Sequence, residues 1–178
     1  MSSPNNLQNI PVFDFMTRNV RTISENETMK QASKQMYQNN IGSVIVLGKS
    51  DTSERIDETV SSNVTAEKNE IPTGIITERD ITRMVGFSAK FFGDMPVSEV
   101  MSKPLITASP NTPIKDAVVL MQQKDIRRLP VLNEKGLMVG IITDKDILKA
   151  LVKTFKKNIK ELGLMPEGFD LLGFLGAE

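Results

Sequence analysis

The chain contains no cysteine, no histidine and no tryptophan, and one tyrosine among its 178 residues. Without cysteine there is no disulfide and no thiolate nucleophile. Without histidine there is no imidazole base and no zinc site of the usual kind. An excess of one charge is lacking too, because 22 basic residues balance 22 acidic ones. Nucleic-acid binding calls for a basic stripe or patch, so no nucleic acid is expected. No apolar run approaches the ~18 residues of a membrane span. The start, "MSSPNNLQNIP", has neither the charged head nor the apolar core of a signal peptide. With 25% charged and 39% apolar residues the composition is that of a soluble globular protein, and a cytoplasmic location is expected. Carboxylates or a Ser–Lys pair could still hydrolyse a bond, but the usual catalytic equipment is thin. A non-enzyme is expected, with no catalytic and no metal-binding residues.

What the chain does have is a repeat. "GIITERD" at 74–80 returns as "GIITDKD" at 140–146, 66 residues on. The segment 15–47 also aligns without a gap to 100–132, 85 residues on, so the first copy carries 19 extra residues between Leu47 and Gly74. Each copy follows one plan. A short extended piece (Val20–Ile23; Leu105–Ala108) precedes a helix with apolar residues at helical spacing: Met29, Ala32 and Met36, then Ile114, Ala117, Val118 and Met121. Pro113 suits the helix start. "IGSVIVL" and "IRRLPVL" read as buried strands. "EKG" (134–136) turns into the strand "LMVGIIT", and a second helix follows, with Ile81 and Met84 or Ile147, Leu148 and Leu151. The order is β-α-β-β-α twice. A unit of about 60 residues buries only ~60% of its unfolded surface, so one intertwined α/β (α+β) module is expected.

The heptad has two readings. Thr-x-x-Asp before an apolar-periodic run is close to a capping box, with Thr77 or Thr143 as the cap and Asp80 or Asp146 favoured by the helix dipole. Alternatively, a strand ending at a helix N-terminus leaves backbone N–H groups for an anion. Thr then serves a phosphate, Asp accepts two hydroxyls of a ribose diol, and Arg79 or Lys145 adds positive charge at the mouth. Phosphate, diol and a base against aliphatic walls describe a nucleotide.

These motifs resemble the CBS domain, named after cystathionine β-synthase, in its tandem pair or Bateman module. The likeness rests on Gly-h-h-Thr-x-x-Asp at 74–80 and 140–146, "IRRLPV" at 126–131 and "MSKPLITASPNTPIKDA" at 101–117. It covers residues ~12–155. The resemblance implies two βαββα motifs packed with pseudo-two-fold symmetry, clefts between them, and a homodimer. It implies an adenosine derivative as ligand (AMP, ADP, ATP or S-adenosylmethionine), with or without Mg2+, and a regulatory, energy-sensing role. By that resemblance Asp80 and Asp146 hold ribose, Thr77 and Thr143 help hold phosphate, and Arg128, with Arg127 beside it, reaches phosphate. Val20 and Ile41 enclose adenine near Asp146; Leu105 and Ile126 do so near Asp80. The first copy has Gly42 and Ser43 in place of the arginine pair, so the Asp146 cleft is expected to favour phosphate. The alternative is an assembly subunit with empty clefts, whose Thr–Asp pairs are only caps.

The expected boundaries are 12–85 for the first motif, with a polar, mobile insert at 48–72; 86–96 for a linker; 97–153 for the second motif; and 154–178 for a helical tail. The linker's phenylalanines are expected to pack on the core or on a second subunit. The dimer interface is expected from Ile81, Met84, Ile147 and Leu151. The basic, amphipathic chain end is read as a solvated helix face over a packed stripe, and the tail 163–178 as folding back or docking on a partner.

Overall fold

The computed structural model describes residues 9–49, 70–87 and 92–161, except the side chains of 87 and 154–161. The elements in chain order are β1 (Thr22–Ser24), α1 (Met29–Asn39), β2 (Ser43–Lys49), β3 (Glu70–Thr77), α2 (Glu78–Phe87), α3 (Val97–Val100), α4 (Ile114–Lys124), β4 (Arg128–Leu132), β5 (Met138–Thr143) and α5 (Asp144–Glu161). Among the described residues no helix is long and apolar enough to cross a membrane. The chain divides into two compact units.

The first-repeat unit holds residues 20–106. Its sheet runs β1-β2-β3, parallel then antiparallel. Helix α1 starts at a capping box: Gln31 N–H donates to Thr28 Oγ1, and Thr28 N–H donates to Gln31 Oε1 at 2.7 Å. It stops at Asn40, whose φ of 50° is left-handed. Asn tolerates that conformation better than most residues. The apolar face of α1 buries Met29, Ala32 and Met36 against Val44, Val46 and Ile76, as its spacing predicts. Burying such a side chain fully is worth about 1.5–3 kcal/mol.

The second-repeat unit holds residues 107–161 together with the N-terminal stretch through Asn19. Its α4 buries Ile114, Ala117 and Met121 and ends at Asp125, again at φ 50°. Pro113 is the N-cap, one residue before the first helical position. β4 and β5 pair antiparallel through a turn at Asn133–Gly136, where Asn133 Oδ1 accepts from Lys135 and Leu137 N–H and Gly136 has φ 73°.

The two sheets differ in one place. Ile45 N–H donates to Arg21 O at 3.0 Å, which helps bind β1 to β2. Its counterpart in the second repeat is Pro130, which has no N–H to give. The extended piece expected at Leu105–Ala108 is therefore reduced to a single parallel bridge, Ala108 with Val131.

The arms that precede the repeats are exchanged. Residues 9–19 precede the first repeat but pack in the second-repeat unit, where Ile114 N–H donates to Ile10 O, Val12 N–H to Thr112 O, and Thr17 and Ile141 exchange two bonds of 2.9 Å. Residues 92–106 do the same for the first repeat: Met29 N–H to Met95 O, Val97 N–H to Glu27 O, and an exchange between Ser102 and Ile75. The compact units thus divide differently from the sequence boundaries at 85 and 97. Phe92 packs against the first-repeat core, as do Met95 and Met101. Strands β2 and β3 extend into the expected insert at 48–49 and 70–72; the mobile loop expected there falls on residues 50–69, outside the described ones. α5 runs unbroken across 153–154, and the tail 163–178 lies outside the described residues.

The repeated glycine has its reason in these arms. A Cβ on Gly140 would overlap the Met16 side chain and come within 3.0 Å of Thr17 O; one on Gly74 would overlap Met101 and lie 3.1 Å from Ser102 O. Gly140→Ala is expected to cost about 1–3 kcal/mol, the scale of overpacking, in urea denaturation. Gly86→Ala, where a Cβ meets nothing within 4 Å, is expected to cost nothing.

Candidate functional site

Each repeat delivers its Thr-x-x-Asp to the junction of a strand end and a helix start. In the second-repeat unit Thr143 ends β5. Its N–H and its hydroxyl both donate to Asp146 Oδ2, at 2.9 and 2.7 Å, and Asp146 N–H donates back to Thr143 Oγ1 at 3.3 Å. Thr77 and Asp80 make the same three bonds, at 2.9, 2.7 and 3.4 Å. The pair is a reciprocal cap, and the Thr proton is spent on the carboxylate.

The backbone donors at this mouth are spent as well. Asp144 N–H donates to Arg127 O at 3.0 Å, and Lys145 N–H to Asp144 Oδ1 at 2.9 Å. With Asp146 N–H on the Thr hydroxyl, the first three N–H groups of α5 all have acceptors. In the other unit Glu78 N–H donates to Gly42 O at 3.2 Å. The sequence reading of an open backbone anion site is corrected at α5: the strand-to-helix turn satisfies its first three donors internally, as helix ends require.

What is left for a ligand lies on side chains. Among the described residues Asp146 Oδ1 has no hydrogen-bond partner, and an ionised carboxylate oxygen only accepts. The capping bonds to Oδ2 fix its direction. Arg128 stands opposite Thr143 in the β4–β5 register, and directly opposed residues share a sheet face. Arg127 precedes it, and Lys145 is exposed in the first turn of α5. Among the described residues no ion pair engages these three cations. Beside the mouth an open depression of about 300 Å3 is lined by Val118, Met121, Ile126 and Ile147, with Gln122, Asp125 and Asp144.

The two mouths are not alike. Asp80 is 6% exposed, and its Oδ1 receives Arg83 Nη2 at 3.4 Å. The equivalent position in α5 is Lys149, which makes no such bond to Asp146. Sequence reasoning missed Arg83, although Asp and Arg three apart on a helix are neighbours by spacing alone.

Of the expected site residues, Val20, Ile41, Leu105, Thr77, Arg79 and Asp80 belong to the first-repeat unit, and Ile126, Arg127, Arg128, Thr143, Lys145 and Asp146 to the second. Val20, Ile41, Leu105 and Ile126 are half-buried. Within their units, Leu105 accompanies Asp80 and Ile126 accompanies Asp146, whereas Val20 and Ile41, expected beside Asp146, lie in the other unit. Of the residues expected to pair copies, Ile147 is buried, Ile81 and Met84 are half-buried, and Leu151 is 41% exposed.

The CBS domain family matches residues 12–62 and 97–153, most of the chain. This chain belongs to the CBS-domain family. A CBS domain-containing protein of Bacillus subtilis is 34% identical over 136 residues, 76% of this chain and 81% of that one. A CBS-domain containing protein from Agrobacterium tumefaciens has the same fold, with a TM-score of 0.63 at 24% identity over 79% of this chain and 90% of that one. So does a CBS domain pair solved in complex with 5′-methylthioadenosine and S-adenosyl-L-methionine, with a TM-score of 0.62 at 21% identity over 81% of this chain and 97% of that one. The tandem CBS arrangement and the mixed α+β fold read from the repeat are thereby shown.

The cap itself is testable. Thr143→Ala removes the two bonds of the hydroxyl and leaves the backbone N–H bond to Asp146 Oδ2; it is expected to cost about 0.5–2 kcal/mol in thermal or urea unfolding, while Thr143→Ser retains most of the cap. Asp146→Asn keeps an acceptor for Thr143 and loses only the charge at the helix start, about 0.3–1 kcal/mol.

Proposed function

We propose that the chain is a cytoplasmic, non-catalytic regulatory module that binds an adenosine derivative: AMP, ADP, ATP or S-adenosylmethionine. Asp146 Oδ1 carries the reading. Among the described residues it is an aimed acceptor with no hydrogen-bond partner, suited to a ribose hydroxyl, with Arg127, Arg128 and Lys145 proposed for phosphate or carboxylate. Thr143 acts as a positioning residue that holds the carboxylate rather than as a phosphate ligand. Ile126, which lines the depression beside this mouth, is proposed as a base contact for that ligand, and Leu105 for a second one at Thr77, Arg79 and Asp80 in the first-repeat unit. The second mouth is the weaker, because Arg83 already faces Asp80 Oδ1 and Gly42 and Ser43 stand where the arginines would be. Binding shifts conformation or the affinity for a regulated partner. Copies are proposed to pair through α2, where Val85 is 60% exposed.

Titration calorimetry and thermal melting with the four ligands, with and without Mg2+, test this. At one hundred times the dissociation constant a ligand adds about 2.7 kcal/mol. That is a melting shift of roughly 5–10 °C at this chain length. Asp146→Asn is expected to weaken binding about ten- to one-hundred-fold, since a charged hydrogen bond is worth ~1.5–3 kcal/mol. Arg128→Ala is expected to weaken phosphate-bearing ligands while sparing adenosine. Asp80→Asn is expected to do less. Steady consumption of any ligand sinks the non-catalytic reading.

A second reading is favoured by one observation. Both Thr–Asp boxes close on their own atoms, so the heptads suffice as caps for an assembly subunit. No melting shift with any ligand, and no loss in Asp146→Asn beyond its cap cost, would establish it.

A further inference from the structure

Both repeats place a basic residue three positions after the capping Asp: Arg83 on α2 and Lys149 on α5. The two behave differently. Arg83 Nη2 lies 3.4 Å from Asp80 Oδ1, and the Asp80 side chain is 8% exposed while that of Arg83 is 59% exposed. Asp146 is half-buried, and Lys149 is exposed and makes no such bond to it. A buried carboxylate is costly unless its oxygens are hydrogen-bonded or paired. At Asp80 the Thr77 N–H and hydroxyl serve Oδ2, and Arg83 serves Oδ1. A ribose hydroxyl arriving there has to displace a cation. The strand beside it differs as well, because Ser43 opposes Thr77 where Arg128 opposes Thr143.

We propose that Arg83 shuts the first-repeat mouth, and that without its guanidinium this mouth takes an uncharged nucleoside in preference to a nucleotide. The charge around Asp80 dictates the preference. With Arg83 removed, the charged residues of the first heptad are Glu78, Arg79 and Asp80, two acids against one base. A net negative mouth repels phosphate and leaves a neutral diol unopposed. The selectivity is the reverse of that proposed for Asp146, where Arg127, Arg128 and Lys145 favour an anion. The inference rests on the reading of the repeated Asp as a diol acceptor.

Titration calorimetry of the full chain with adenosine and with AMP tests it, on wild type, Arg83→Ala and Arg83→Met. Arg83 is exposed on a helix, where Ala and Met are well tolerated. The two variants differ in bulk and share the loss of charge. Wild type is expected to take one equivalent of either ligand, at Asp146. Both variants are expected to gain a second equivalent of adenosine, about ten-fold tighter than wild type shows at that mouth, with AMP weaker there. Adding Asp80→Asn is expected to abolish the gain. Lys149→Ala, the matched change in α5, is expected to add no equivalent. No second equivalent in either variant, with the first intact, would overturn closure by Arg83 and leave the nucleotide reading standing. A gain confined to Arg83→Ala would overturn charge as the obstacle in favour of bulk. A gain that survives Asp80→Asn would overturn Asp80 as the site, and a second equivalent that prefers AMP would overturn the selectivity. No binding by wild type or variants would overturn both readings together.

Discussion

The close approach of Met16 to Gly140, and of Met101 to Gly74, is the contact on which the two units depend. At each, an arm drawn from ahead of one repeat lays a methionine and a backbone carbonyl against the strand of the other repeat. Only a residue without Cβ leaves that room. The same strands carry their register irregularity at this level, between Val46 and Leu47 and between Val131 and Leu132. Three residues downstream of each glycine, after the two isoleucines, comes the capping Thr. The glycine therefore sets where the arm lies, and the strand beside it delivers Thr and Asp to the helix start.

At that helix start, structure and binding share one side chain. A carboxylate has two oxygens. The Thr N–H, the Thr hydroxyl and the Asp N–H settle Thr143 and Asp146 around Oδ2, and among the described residues Oδ1 receives no hydrogen bond. A capped helix and a ribose acceptor are thus compatible roles for one residue. The cap even serves the site, since it removes the rotameric freedom that ligand binding would otherwise have to restrict. In the first-repeat unit the exposed Arg83 stands at Oδ1 of the buried Asp80, so duplication of a motif has not duplicated its chemical availability.

Phosphate binding beside Asp146 is assigned to side chains because the first three N–H groups of α5 already have acceptors. Helix N-termini bind anions when their N–H groups are unoccupied. Here Arg127 O, Asp144 Oδ1 and Thr143 Oγ1 occupy them. Arg128, by contrast, is placed by strand register opposite Thr143, and the first repeat has Ser43 at the corresponding point. The difference between the two mouths is therefore one of substituted side chains on a shared backbone plan.

Much of this was legible in sequence because local periodicity encodes local structure. The spacing of Met29, Ala32 and Met36 determined a helix face, Thr-x-x-Asp determined a cap, and the two copies determined that whatever one repeat forms the other forms also. Pro130 carried a further signal that the expectation of an extended piece at Leu105–Ala108 overlooked, a missing N–H that reduces it to a single bridge. Two things were outside its reach. The occupancy of the α5 N–H groups depends on Arg127 O, a backbone atom brought there by strand pairing and carrying no residue signature. And the arms could have docked on either Gly-Ile-Ile edge, since the repeats offer nearly identical ones. Sequence by itself determined the two motifs and their capping chemistry; only the tertiary structure decided which arm crosses to which strand, because equivalent edges differ in connection and not in composition.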